Sequence, residues 1–94
     1  MNDKQAYETK LQAQLEEWSA EIDRLKAKAT GLEADAQLEY NERIEGLEAM
    51  RDAAGERLEE LRKAGDDAWE DLKGGVDEAW TKLEEAFLQA KSRF

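Results

Sequence analysis

The side chains able to do chemistry in this sequence are almost all carboxylates. Acidic pairs stand at Glu16-Glu17, Glu59-Glu60, Asp66-Asp67 and Glu84-Glu85. Converging carboxylates can hold Ca²⁺ or Mg²⁺, and a carboxylate pair can in principle run acid–base catalysis. The spacing provides for neither. No loop places oxygen ligands at alternating positions, and a narrow helical surface encloses little volume for a substrate. There is no histidine and no cysteine, so the common nucleophile–base pairs and the usual zinc sites are ruled out. No glycine-rich phosphate loop follows a strand. The acidic pairs read as solvated helix faces. The expectation is a protein that is not an enzyme, with no catalytic residues, no cofactor and no metal ligands.

Charge narrows the partners. The net charge is −10 over 94 residues. Nucleic acid phosphates and flat anionic membranes would be repelled. The absence of cysteine excludes a disulfide framework and leaves the redox compartment open. The opening residues, MNDKQAYETK, carry no apolar core like that of a signal peptide. No stretch approaches the ~20 apolar residues of a membrane span. A soluble, cytoplasmic protein is expected.

The elements that must position these side chains are helices. Proline is absent, and Ala, Glu, Leu, Lys and Arg dominate. These residues lose little side-chain freedom in a helix. From Leu11 the apolar positions alternate in steps of four and three: Leu11, Leu15, Trp18, Ile22, Leu25, Ala29, Leu32 and Ala36. That is a heptad seam of coiled-coil type. Thr30 and Glu33 match a helix-starting capping box, but the seam passes Gly31 in phase. The spacing therefore predicts one helix over about 3–64. Beyond Ala36 the seam drifts through Tyr40, Ile44, Leu47, Met50, Ala54, Leu58 and Leu61. Pairs such as Glu39 with Arg43, Glu48 with Arg51 and Glu59 with Lys63 support the outer face.

The clearest break is at 65–66. Gly65 suits the left-handed position just past a helix end, and Asp67 with Glu70 reads as the next N-cap and its third residue. A second helix is predicted over about 67–92. It holds two tandem eleven-residue units, DDAWEDLKGGV and DEAWTKLEEAF. An eleven-residue period keeps apolar positions in a nearly straight stripe: Trp69, Leu72, Val76, Trp80, Leu83 and Phe87, with Phe94 beyond. Core packing is the plainer use of this stripe; gripping a partner helix or a lipid interface is the other. Asp66 to Phe94 carries eight acidic and four basic residues, which disfavours the membrane.

The segments KQAYETKLQAQLEEWSAEIDRLKAKA, ADAQLEYNERIEGL and AGDDAWEDLKGGVDEAWTKLEEAF resemble a family of small bacterial coiled-coil proteins associated with stress responses. Gly31 and Gly46 depart from that pattern. The resemblance implies helix–helix association and carries no catalytic residues. The fold expected is all-α: a long helical hairpin with a shorter second helix. A three-helix bundle broken near Gly31 is the alternative. The function expected is a non-enzymatic scaffold or stress-associated interaction protein; an amphipathic lipid-surface binder is the alternative. Folded back, the second helix is too short to reach Leu11, Leu15, Trp18, Ile22, Leu25 and Leu32. A homo-oligomer, with a dimer favoured, is therefore expected to pair through residues 8–36. A different helical protein is a further candidate partner.

Overall fold

The structure, a computed structural model, describes residues 3–65 and 67–93, the side chain of Arg93 excepted. The chain is all-α. Its helices are α1 (Asp3–Ala29), α2 (Ala34–Lys63) and α3 (Trp69–Arg93). Lys26 meets Glu48 at 3.3 Å and Gln12 meets Arg62 at 3.1 Å, so α1 and α2 run antiparallel. Tyr7 faces Trp69 and Trp18 faces Phe87, so α1 and α3 run parallel. The three form a rod of 52 × 20 × 20 Å.

The structure counts three helices where the phase of the seam predicted two. The chain leaves the helix at Thr30 and re-enters at Ala34. Gly31 N–H donates to Lys28 at 3.3 Å and Leu32 N–H to Ala29 at 3.1 Å, tightening the last turn of α1. The Thr30 hydroxyl donates back to the Ala27 carbonyl at 2.7 Å. It therefore closes α1 and does not cap α2. Glu33 is the N-cap, extended at φ −63° and ψ 157°, with no side-chain cap bond. The capping box is not formed. Phase misleads here because a short connection of about one helical turn returns the apolar pattern in register whether or not the chain reverses. Packing drives the reversal: with α1 folded back, Ile22 is fully buried and Leu11 and Leu25 nearly so. Each such side chain is worth about 1.5–3 kcal/mol against exposure.

The second connection also differs from expectation. No described glycine has positive φ, so Gly65 is not left-handed. The C-cap is Ala64, extended at φ −71° and ψ 142°. The Gly65 carbonyl accepts from Ala68 N–H at 3.0 Å and Trp69 N–H at 3.1 Å. Gly65 thus opens α3, a role glycine fills acceptably. Asp67 follows it, exposed, in the turn ahead of α3, whose own first turn carries Glu70 and Asp71, where negative charge suits the helix dipole. Asp66 and Phe94 lie outside the described residues. The end of α2 is capped from α1: Lys4 Nζ donates to the Ala64 carbonyl at 2.7 Å and the Arg62 carbonyl at 3.4 Å. A cation at a helix C-terminus is favourable.

Burial follows four-three steps in α2 and α3. In α2 the inward positions are Tyr40, Ile44, Leu47, Met50, Ala54, Leu58 and Leu61, with Arg51 half-buried beside Met50; in α3 they are Trp69, Lys73, Val76, Trp80, Leu83, Phe87 and Ala90. The eleven-residue stripe is corrected at one place. Leu72 aligns with Leu83, yet Leu72 is 37% exposed and Leu83 1%. Lys73 takes the inward position. Gly46, Gly55, Gly74 and Gly75 lie within continuous helices. Of the surface pairs, Glu39–Arg43 forms at 2.8 Å, while Glu48 turns to Lys26 and Glu59 to Arg62.

Candidate functional site

Two surfaces concentrate the side chains that packing alone leaves unexplained. The first is the line where α1 meets α3. These helices stand further apart than either does from α2, and aromatic side chains span the gap. Trp18 stacks on Phe87 with ring centroids 5.6 Å apart and planes 10° from parallel. It also meets Trp80 at 5.9 Å. Trp80 Nε1 is buried with no hydrogen-bond partner among the described residues, so this indole does not reach the rim as its type suggests. An unsatisfied buried donor costs about 1–3 kcal/mol, which the stacked rings must outweigh.

Nearer the start of α1, Tyr7 meets Trp69 at 6.1 Å, and its hydroxyl donates to the Asp77 carboxylate. Lys73 Nζ lies over the Tyr7 ring at 5.2 Å and the Trp69 ring at 5.9 Å. A cation so placed is attracted by the negative faces of the rings. Burial, then the hydrogen bond to Asp77 and that residue's negative charge, raises the Tyr7 phenol above its ordinary range. Together these contacts clamp α3 to α1 through groups far apart in sequence.

The second surface is the open face between α1 and α2, on the side α3 does not cover. It forms a groove of about 920 Å³. Gln12, Leu15, Glu16, Ser19, Ala20 and Asp23 line it from α1; Arg51, Asp52, Gly55, Glu56, Glu59, Glu60 and Lys63 line it from α2. Each set recurs every three or four residues, one face of a helix. Leu15, Ser19, Ala20 and Gly55 make a low, mostly apolar floor. Arg51 sits at a half-buried heptad position and turns outward, donating to Ser19 Oγ at 3.5 Å and pairing with Asp52 at 3.1 Å.

The structure divides the predicted seam. Leu11, Ile22 and Leu25 enter the core, Trp18 reaches α3, Leu15 lines the groove, and Leu32 is half-buried in the turn. Of the predicted stripe, Val76, Trp80, Leu83 and Phe87 are core, Trp69 packs on Tyr7, and Leu72 is exposed. Sequence reasoning missed Tyr7, Lys73, Asp77 and the groove. Tyr7 was visible as an aromatic four residues before Leu11, and Lys73 by its four-three spacing between Trp69 and Val76. Among the described residues no group of acidic side chains is placed to hold a metal ion, and no helix is long and apolar enough to cross a membrane. Compared with known proteins, the chain matches no family model, no curated sequence and no solved structure.

Proposed function

We propose that this chain is a non-enzymatic helical interaction protein. On this reading it is a three-helix bundle that closes on itself and offers the α1–α2 groove to a helix of another protein. The observation that carries the reading is the division of labour among its apolar residues. Leu11, Ile22, Leu25, Val76, Leu83 and Phe87 are consumed inside one chain. The groove, with its floor of Leu15, Ser19, Ala20 and Gly55, is left open. That burial supports a monomer as the working unit over a dimer paired through residues 8–36, because Leu11, Ile22 and Leu25 of the seam that called for a second copy are already covered. The stress-associated role rests on the family resemblance of the quoted segments.

The test is a titration of the ¹⁵N-labelled full chain with three amphipathic helical peptides. They share one heptad pattern of Leu and Ala, flanked by Gln, Lys or Glu. The reading expects at least one to shift the amide signals of Ser19, Ala20 and Gly55 in a saturable way while those of Leu83 and Phe87 stay put. If none of the three shifts the groove signals, the reading fails. Sedimentation of the free chain at micromolar concentration should give a monomer; a stable dimer would return the association surface to residues 8–36.

A further inference from the structure

The groove runs along one face each of α1 and α2, and its walls carry a marked charge. Glu16, Asp23, Asp52, Glu56, Glu59 and Glu60 stand along it against only Arg51 and Lys63. Three of these carboxylates are already answered: Asp52 by Arg51, Glu59 by Arg62 and Glu60 by Arg57. Glu16, Asp23 and Glu56 have no partner among the described residues. They lie on both walls, Glu16 and Asp23 on α1 and Glu56 on α2. At about 1.5 Å per residue, the lining stretches 12–23 and 51–63 are each roughly 17 Å long, or three helical turns.

Gly55 adds a separate observation. It lies inside α2, where glycine is a poorer helix former than alanine. Its φ is not positive, and an added Cβ would meet no atom within 4 Å; the same holds for Gly46, Gly74 and Gly75, and what distinguishes Gly55 is its place in the groove. The space above it opens into the groove. A side chain there would raise the floor under anything seated on it.

We propose that the α1–α2 groove takes a basic amphipathic helix of about three turns from another protein. Small apolar residues of that helix lie on Leu15, Ala20 and Gly55, and its lysines or arginines reach Glu16, Asp23 and Glu56. This inference rests on the reading of the groove as a helix-binding surface and adds the sign of the partner's charge. A second copy of this chain is the wrong occupant, since each copy carries −10. A single metal ion is wrong as well, because no described carboxylates converge tightly enough to ligate one.

The same three peptides test it, with a fourth that keeps the lysines but scrambles the order so that the apolar face is lost. The Lys-flanked helix should bind at least tenfold tighter than the Gln-flanked one, and the Glu-flanked one should not bind. Glu16→Gln with Glu56→Gln should weaken the Lys peptide at least tenfold. Glu84→Gln with Glu85→Gln, the same charge change on α3, should not. Gly55→Leu should weaken the Lys and Gln peptides alike. Groove shifts from the Gln peptide equal to or stronger than those from the Lys peptide would overturn the basic partner and leave the helix-binding reading standing. Equal binding of the scrambled peptide, or equal loss from the α3 pair, would reduce the effect to diffuse charge attraction and overturn the proposal.

Discussion

Inserting Gly-Ser-Gly between Gly31 and Leu32 separates the three-helix chain from the long hairpin. In the structure this point lies in a connection of four residues, Thr30–Glu33, between Ala29 and Ala34. Lengthening it to seven adds closure entropy of about (3/2)RT ln(7/4), or roughly 0.5 kcal/mol. The insertion breaks the Leu32 N–H bond to Ala29, at the end of α1, which adds little. In a continuous helix over 3–64 the same insertion lands mid-helix. Two glycines and a serine then cost about 2–3 kcal/mol in propensity alone. Three residues also rotate one half of the seam by about 60° against the other, parting Leu11–Ala29 from everything below. Urea unfolding followed by far-ultraviolet circular dichroism reads the difference. The expected result is unchanged helicity per native residue, an unchanged m-value and a stability loss near half a kcal/mol. A loss above about 2 kcal/mol, or a drop in helicity, would refute the break at Thr30–Glu33.

Four further outcomes follow from particular contacts. Leu83→Ala should cost about 3 kcal/mol through lost burial and a cavity, and Leu72→Ala less than about 0.5 kcal/mol; equal effects by thermal melting would restore the eleven-residue stripe. Gly55→Ala should raise stability by about 1 kcal/mol, a melting shift of about 4–8 °C; a decrease would mean α2 is distorted there. Tyr7 holds its proton more tightly folded than unfolded, so its contribution is fully present below its unfolded pKa of about 10 and is lost as pH rises through the higher folded value. The stability difference between the wild type and Tyr7→Phe should therefore be flat up to about pH 10 and shrink above it; a difference that does not change with pH would mean that neither burial nor Asp77 holds the phenol proton. Lys4→Met should destabilise by about 0.5–1 kcal/mol, by uncovering the last carbonyls of α2, and this loss should shrink in high salt.

Helix type and most of the core were legible in the sequence because periodicity reports which residues share a face. Leu11, Ile22 and Leu25 were assigned inward from spacing alone, and so were Val76, Trp80, Leu83 and Phe87; all are buried. Topology was less legible for a stated reason. A heptad seam is the same whether its partner is a second chain or the same chain folded back, and a turn as short as Thr30–Glu33 leaves the phase intact. Gly65 shows a similar ambiguity. A glycine after Lys63-Ala64 and before Asp67 satisfies the end of one helix or the start of the next, and only the backbone bonds from Ala68 and Trp69 decide for the start.

The inward cations carry the remaining structural information. A strict apolar reading skips Lys73, and so it chose Leu72 for that position; Met50 packs against the core as read, with Arg51 beside it turned toward α1. Both cations occupy heptad sites because each has somewhere to put its charge: Lys73 over Tyr7 and Trp69, Arg51 against Ser19 and Asp52. A polar residue at a seam position costs stability and in return restricts which arrangements are tolerable. Lys73 is accommodated only where α3 lies beside the start of α1 in parallel, and Arg51 only where α2 lies antiparallel to the middle of α1. A shift of one heptad along α1 would set Gln14 in place of Tyr7 beside Lys73, and Gln12 or Lys26 in place of Ser19 beside Arg51, so the observed contacts would be lost. The two cations thus bias the register through contacts that a shift would lose, and Arg51 does so from the edge of the open groove, where the fold and the proposed partner surface meet.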